Sequence, residues 1–134
     1  MSFIPNQCEV ETIRAFVAKT KRERYVGFVS NEKRRNEFAR NLAHWDDFDS
    51  RWIIRIAPSS QNPEGIHTIL KAHGAPELCN AISEFTELDG KELRLIDALK
   101  RIVGSQMGTI LCCQPGRLAY FENEDSRFIL ERSK

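Results

Sequence analysis

The sequence predicts an α/β (or α+β) fold: two N-terminal helices, then a mixed sheet of about five strands with two crossover helices and a C-terminal antiparallel meander. Three observations carry this. Residues 51–56 (RWIIRI), 78–83 (LCNAIS) and 109–113 (TILCC) are short apolar runs bounded by turn-forming residues. Helical patterns at about 63–73 and 91–103 separate them. The chain then ends in two turn-bounded runs, 117–122 and 127–131. Strands alternating with helices specify crossover connections, so the first three strands are expected to lie parallel.

The first third reads as helical. Val10, Ile13, Phe16 and Val17 draw one apolar stripe from about residue 7, and Tyr25 and Phe28 keep the spacing, which favours one long helix. The alternative is a break near Lys19 followed by a short strand at 25–29. Ser30 and Asn31 form an N-cap pair for a second helix, whose stripe is Phe38, Leu42 and Trp45. The acidic run 46–50 (DDFDS) closes this unit.

From Arg51 the period becomes two, with Trp52, Ile54 and Ile56 on one side of a strand. Asn62-Pro63-Glu64 is a helix start: a capping Asn, Pro at the first helical position and an acid in the first turn. Ile66, Ile69 and Leu70 supply its buried face, and Gly74 with Pro76 ends it. Leu93, Ile96, Leu99, Ile102 and Val103 mark the second crossover helix up to Gly104. Pro115-Gly116 suits a type II turn, and Asn123-Glu124-Asp125 is the last one. No repeat or linker interrupts the chain, so residues 1–134 read as one domain, helical over 1–48 and βαβαβββ over 51–134.

Composition narrows the function classes. A chain 41% apolar and 29% charged is ordinary for a globular protein, and a net charge of +1 argues against a nucleic-acid packaging role. No run is long enough to span a bilayer and the N-terminus lacks a secretory pattern, so no membrane partner and a cytoplasmic location are expected. Cys8, Cys79, Cys112 and Cys113 show no CxxC spacing, and adjacent Cys112 and Cys113 diverge on a strand; they read as reduced core thiols. No metal site and no cofactor are expected, because neither HExxH nor a phosphate-cradling glycine pattern occurs.

Two constellations remain. Right-handed crossovers bring the loops after the parallel strands to one end of the sheet, which places Ser59, Ser60, Glu84, Thr86 and Asp89 together as a ligand site. Hydroxyls near a helix start suit an anion, whereas the carboxylates suit a cation or acid–base work. The second is the segment 19–40, with eight Lys or Arg against three Glu, on a chain whose remainder is negative. Its Lys21, Arg22, Arg24, Lys33, Arg34, Arg35 and Arg40 interleave with Tyr25, Phe28 and Phe38, as suits an acidic protein or a nucleic acid. The leading expectation is a small binding or interaction module using this basic helical face. The rival is a small enzyme or ligand-binding protein using the strand-end loops. The pattern names no substrate and no oligomeric state.

Overall fold

The computed structural model describes residues 3–132. It is a three-layer α+β sandwich: one six-stranded sheet with three helices on one face and two on the other. The first face carries α1 (Gln7–Phe16), α2 (Arg22–Val29) and α3 (Glu32–Arg40); the second carries α4 (Pro63–Ala72) and α5 (Leu95–Ile102). The strands are β1 (Ile53–Arg55), β2 (Leu78–Ser83), β3 (Glu92–Arg94), β4 (Thr109–Gln114), β5 (Leu118–Glu122) and β6 (Arg127–Glu131), in the order β1-β6-β5-β4-β2-β3. Among the described residues, no helix is long and apolar enough to cross a membrane.

Every neighbouring pair of strands is antiparallel, which corrects the expectation of three parallel strands. Two features explain the difference. β1 and β2 do run in the same direction, but α4 carries the chain from one edge of the sheet past β6, β5 and β4 before β2 joins. The sheet also has a sixth strand, β3, inside the segment read as the start of a helix. It folds back on β2 with Cys79 opposite Leu93, through a loop in which Gly90 adopts φ +76°. This hairpin reverses the chain before α5, so β4 returns antiparallel to β2, with Ile82 opposite Ile110. Asp89-Gly90 was the available signal, because that dipeptide favours the left-handed turn conformations of hairpins.

The helical part also differs: three helices stand where two were expected. The side chain of Asn6 accepts a hydrogen bond from the Glu9 amide at 3.2 Å and starts α1. The helix ends at Phe16 because the chain turns aside to pair with residues 47–49. Val17 bridges Phe48, the Ala18 amide donates to the Asp47 carbonyl (2.8 Å), and the Asp49 amide donates to the Phe16 carbonyl (2.7 Å). Residues 25–29 are helical, in α2, as expected. Asn31 caps α3 through the Arg34 amide at 3.1 Å.

Alternation along the strands sorts the core into two halves. Ile82, Ile110, Cys112, Ala119, Phe121, Phe128 and Leu130 pack under α1–α3, while Ala81, Leu111, Cys113, Leu118, Tyr120 and Ile129 pack under α4 and α5. Cys112 and Cys113 accordingly face opposite layers, and all four cysteines are free thiols. A sheet covered on both faces buries its central strands completely, which is why β5 is buried along its whole length.

Candidate partner-binding cleft

One recess of the molecule lies on the outer surface of α2 and α3. α2 presents Arg24, Tyr25 and Phe28 at helical spacing, and α3 presents Arg34, Glu37 and Phe38, continued by Asn41. Trp45 closes the far wall, and together these side chains line a cavity of about 320 Å³. The aromatic rings meet edge to face: Tyr25 and Trp45 have centroids 5.2 Å apart, and Phe38 and Trp45 5.3 Å. Phe28 stands edge-on to Tyr25 at 5.4 Å. Such T-shaped pairs are the favoured packing of ring quadrupoles.

Two cations, Arg24 and Arg34, and one carboxylate, Glu37, line the cleft, which leaves one positive charge in excess among these residues. Arg24 and Arg34 each place their guanidinium carbon 5.6 Å from the centroid of Phe28. Cation–π attraction therefore holds both groups beside the opening. Among the described residues neither arginine takes part in an ion pair, so their charge is available to a ligand. Among the described residues the buried Trp45 indole N–H has no acceptor.

Asp47 supports the wall from behind. It accepts from the Tyr25 hydroxyl at 2.5 Å and from Lys21 Nζ at 2.8 Å. Burial raises the Tyr25 hydroxyl above its ordinary value and the Asp47 carboxylate reinforces this. For Asp47 burial acts to raise the pKa, but the hydrogen bonds from Lys21 and Tyr25 outweigh it and hold the carboxyl below 3.8. A lowered folded value means that Asp47 contributes stability that is fully present above pH 3.8 and lost as pH falls through the lowered value. Tryptophan fluorescence followed through an acid titration should therefore show a transition that is reduced in Asp47→Asn; an unchanged profile would exclude this carboxylate as the acid-sensitive support.

The basic set divides three ways. Arg24, Lys33, Arg34 and Arg40 are exposed. Lys21 is paired with Asp47, and Arg22 donates to the Val17 carbonyl at 3.4 Å. Arg35, expected on the contact surface, is buried instead. Its guanidinium donates to both Glu9 oxygens (2.9 and 2.7 Å) and to Asp89 Oδ2 (2.6 Å). The helix phase accounts for this, since Arg35 lies three and four residues before the buried Phe38 and Ala39.

The strand-end set is split as well. Glu84, Thr86 and Asp89 do come together, in a cavity of about 360 Å³ that they share with Asn36, Arg40 and Ser83. Ser59 and Ser60 lie in the short turn before α4, at the end of β1 on the other edge of the sheet. Four inter-strand steps, about 19 Å, separate β1 from β2. The carboxylates of the cavity are already committed: Asp89 accepts from Arg35 and from the Ser83 amide (3.0 Å), and Glu84 accepts from the Gly108 amide (2.5 Å). They hold the β2–β3 hairpin to α3 and to the start of β4. Among the described residues no group of three His, Cys, Asp or Glu is placed to hold a metal ion.

Sequence reasoning did not place Trp45, Glu37 and Asn41 at a site. The signal was available in part, because Arg34, Glu37, Phe38 and Asn41 recur at three- and four-residue spacing. Periodicity puts Trp45 on the helical stripe of Phe38 and Leu42, but α3 ends at Arg40 and Trp45 lies in the irregular segment that follows.

Comparison with known proteins supplies no relative: no family model matches this chain, and no curated protein or solved structure matches it either.

Proposed function

We propose that this protein is a binding module whose α2–α3 cleft takes an acidic segment of a partner protein. In this reading an apolar side chain of the partner enters the aromatic recess, and flanking carboxylates pair with Arg24 and Arg34. The observation that carries it is the pair of guanidiniums held beside Phe28 at the mouth of an aromatic-walled cavity, neither in an ion pair among the described residues. Interfaces take most of their affinity from a few anchors, with aromatic residues and arginine prominent among them.

The ring geometry favours a protein over a nucleic acid. Bases stack on open aromatic faces, whereas Tyr25 and Phe38 are buried and turned edge-on to their neighbours. The usable charge is also modest. Once Lys21 and Arg35 are satisfied internally, six cations face three glutamates over 19–40, short of a phosphate track.

Titrating the protein with a synthetic acidic peptide that carries one central phenylalanine tests this reading. Saturable quenching of tryptophan fluorescence is expected, and replacing Arg24 or Arg34 by Gln should weaken binding about tenfold each. Both residues are exposed, so the variants should fold as the parent does. A peptide that binds all three proteins equally overturns the assignment. So does a single-stranded oligonucleotide that binds more tightly than the peptide and loses affinity in the same variants.

A further inference from the structure

A second recess, on the same layer as α1 but formed with the β4–β5 turn, has a different chemistry. It has a volume of about 380 Å³, and three arginines line it: Arg14 on α1, Arg117 at the end of the turn and Arg132 after β6. Among the described residues that line it, the one carboxylate is Glu11, whose nearest oxygen is 4.0 Å from Arg14. Among those residues two positive charges are therefore in excess.

The groove is held in shape by contacts that leave these charges unspent. Arg132 Nη1 donates to the Ala15 carbonyl at 2.9 Å, and its guanidinium carbon lies 4.7 Å from the centroid of Trp52. A guanidinium has five N–H donors, so most of Arg132's remain for a ligand. The Arg132 amide donates to the Arg117 carbonyl at 2.9 Å, which sets the two residues opposite each other just beyond the Leu118–Glu131 pair of β5 and β6. Gly116 turns with φ +70°, and a Cβ built there would stand 3.5 Å from the Glu11 carbonyl, so the turn lies close against α1. Among the described residues Arg117 is exposed and in no ion pair.

We propose that this groove is a binding site for a phosphomonoester dianion, held between Arg14, Arg117 and Arg132. The guanidinium fork matches the oxygens of a phosphate in paired hydrogen bonds, and the excess of two charges matches the dianion rather than a single carboxylate. Ala15 and Pro115 offer the apolar contact that the ester's carbon chain would take. The site is separate from the α2–α3 cleft and does not depend on its reading.

Amide chemical shifts followed during titration with glycerol phosphate, with glycerol as the uncharged control, provide the test. Saturable shifts centred on Ala15, Gly116 and Arg117 are expected, with none from glycerol. Binding should be tighter above about pH 6, where the second phosphate proton is lost, than below it. Arg14→Gln and Arg117→Gln should each weaken it about tenfold, while Arg34→Gln should leave it unchanged. The proposal is overturned if the shifts never saturate, if they centre on Arg24 and Arg34, or if Arg117→Gln binds as well as the parent.

Discussion

Replacing Arg35 by methionine is expected to destabilise the protein by about 3–5 kcal/mol, the usual cost of removing one partner from a buried ion pair. The Arg35 side chain is 8% exposed and that of Glu9 only 1%, so the substitution leaves a carboxylate in the interior with its cation gone. It also releases Asp89, and with it the attachment of the β2–β3 hairpin to α3. Burial already raises the Glu9 carboxyl above 4.5 despite the hydrogen bonds from Arg35. Without Arg35, burial acts unopposed and the folded-state value rises further. A carboxyl whose folded value is raised binds its proton more tightly when folded. The variant should therefore lose stability as pH rises from 4.5 through that raised value. Denaturant unfolding at acidic and at neutral pH measures both effects. A loss below about 1 kcal/mol, typical of a surface pair, would show that this triad is not a structural anchor. The double variant Glu9→Gln/Arg35→Met should recover part of the loss, because it removes the stranded charge.

Phe121→Ala should cost a similar amount, about 3–5 kcal/mol, as truncation of a buried phenylalanine does where the surroundings relax little. Phe121 has no exposed surface and packs against Phe48 (4.9 Å between centroids), Phe128 (5.2 Å) and Trp45 (6.3 Å). Those contacts link the sheet to the wall of the α2–α3 cleft. Two readouts are therefore expected to move together: a lower denaturation midpoint, and weaker binding of the acidic peptide in conditions where the variant is still folded. A destabilised protein with unchanged peptide affinity would show that the wall does not lean on the sheet.

Much of this architecture was legible because it is local. Asn31 and Asn62 cap the helices that they were expected to cap, since capping is a contact over three residues. The meander from β4 to β6 followed from its turn residues, and its register places Ile110 opposite Phe121 and Phe121 opposite Phe128. What was misread is non-local. A strand buried on both faces has the same composition whether its neighbours run with it or against it, so LCNAIS and TILCC could not report their own orientation. The break after Phe16 depends on a bridge to Phe48, about thirty residues further along the chain. β3 is three residues long, and its Leu93 keeps helical spacing with Ile96, so the periodicity absorbed it into α5.

The candidate site shows the same division. Basic residues interleaved with Tyr25, Phe28 and Phe38 pointed to the α2–α3 surface. Which arginines turn inward depends on helix phase: Arg35 lies three and four residues before both buried positions, Phe38 and Ala39, whereas Arg34 keeps that spacing with Phe38 alone and stays exposed. The strand-end loops failed to converge for a topological reason, since Ser59 and Glu84 follow strands that run the same way but sit four steps apart.

The pairing of β1 with β6 also sets an order of events during synthesis. Ile53 finds its partner in Leu130, so β1 waits for β6, more than seventy residues further along the chain, before it has a neighbour. Until then it is a hydrophobic segment whose amides and carbonyls lack their strand partners, open to other chains or to holding chaperones. Pairings so distant in sequence close slowly. The three helices ahead of β1 can form early, but the sheet face that they cover is built from segments made later, so their packing waits until β2, β4, β5 and β6 have been made.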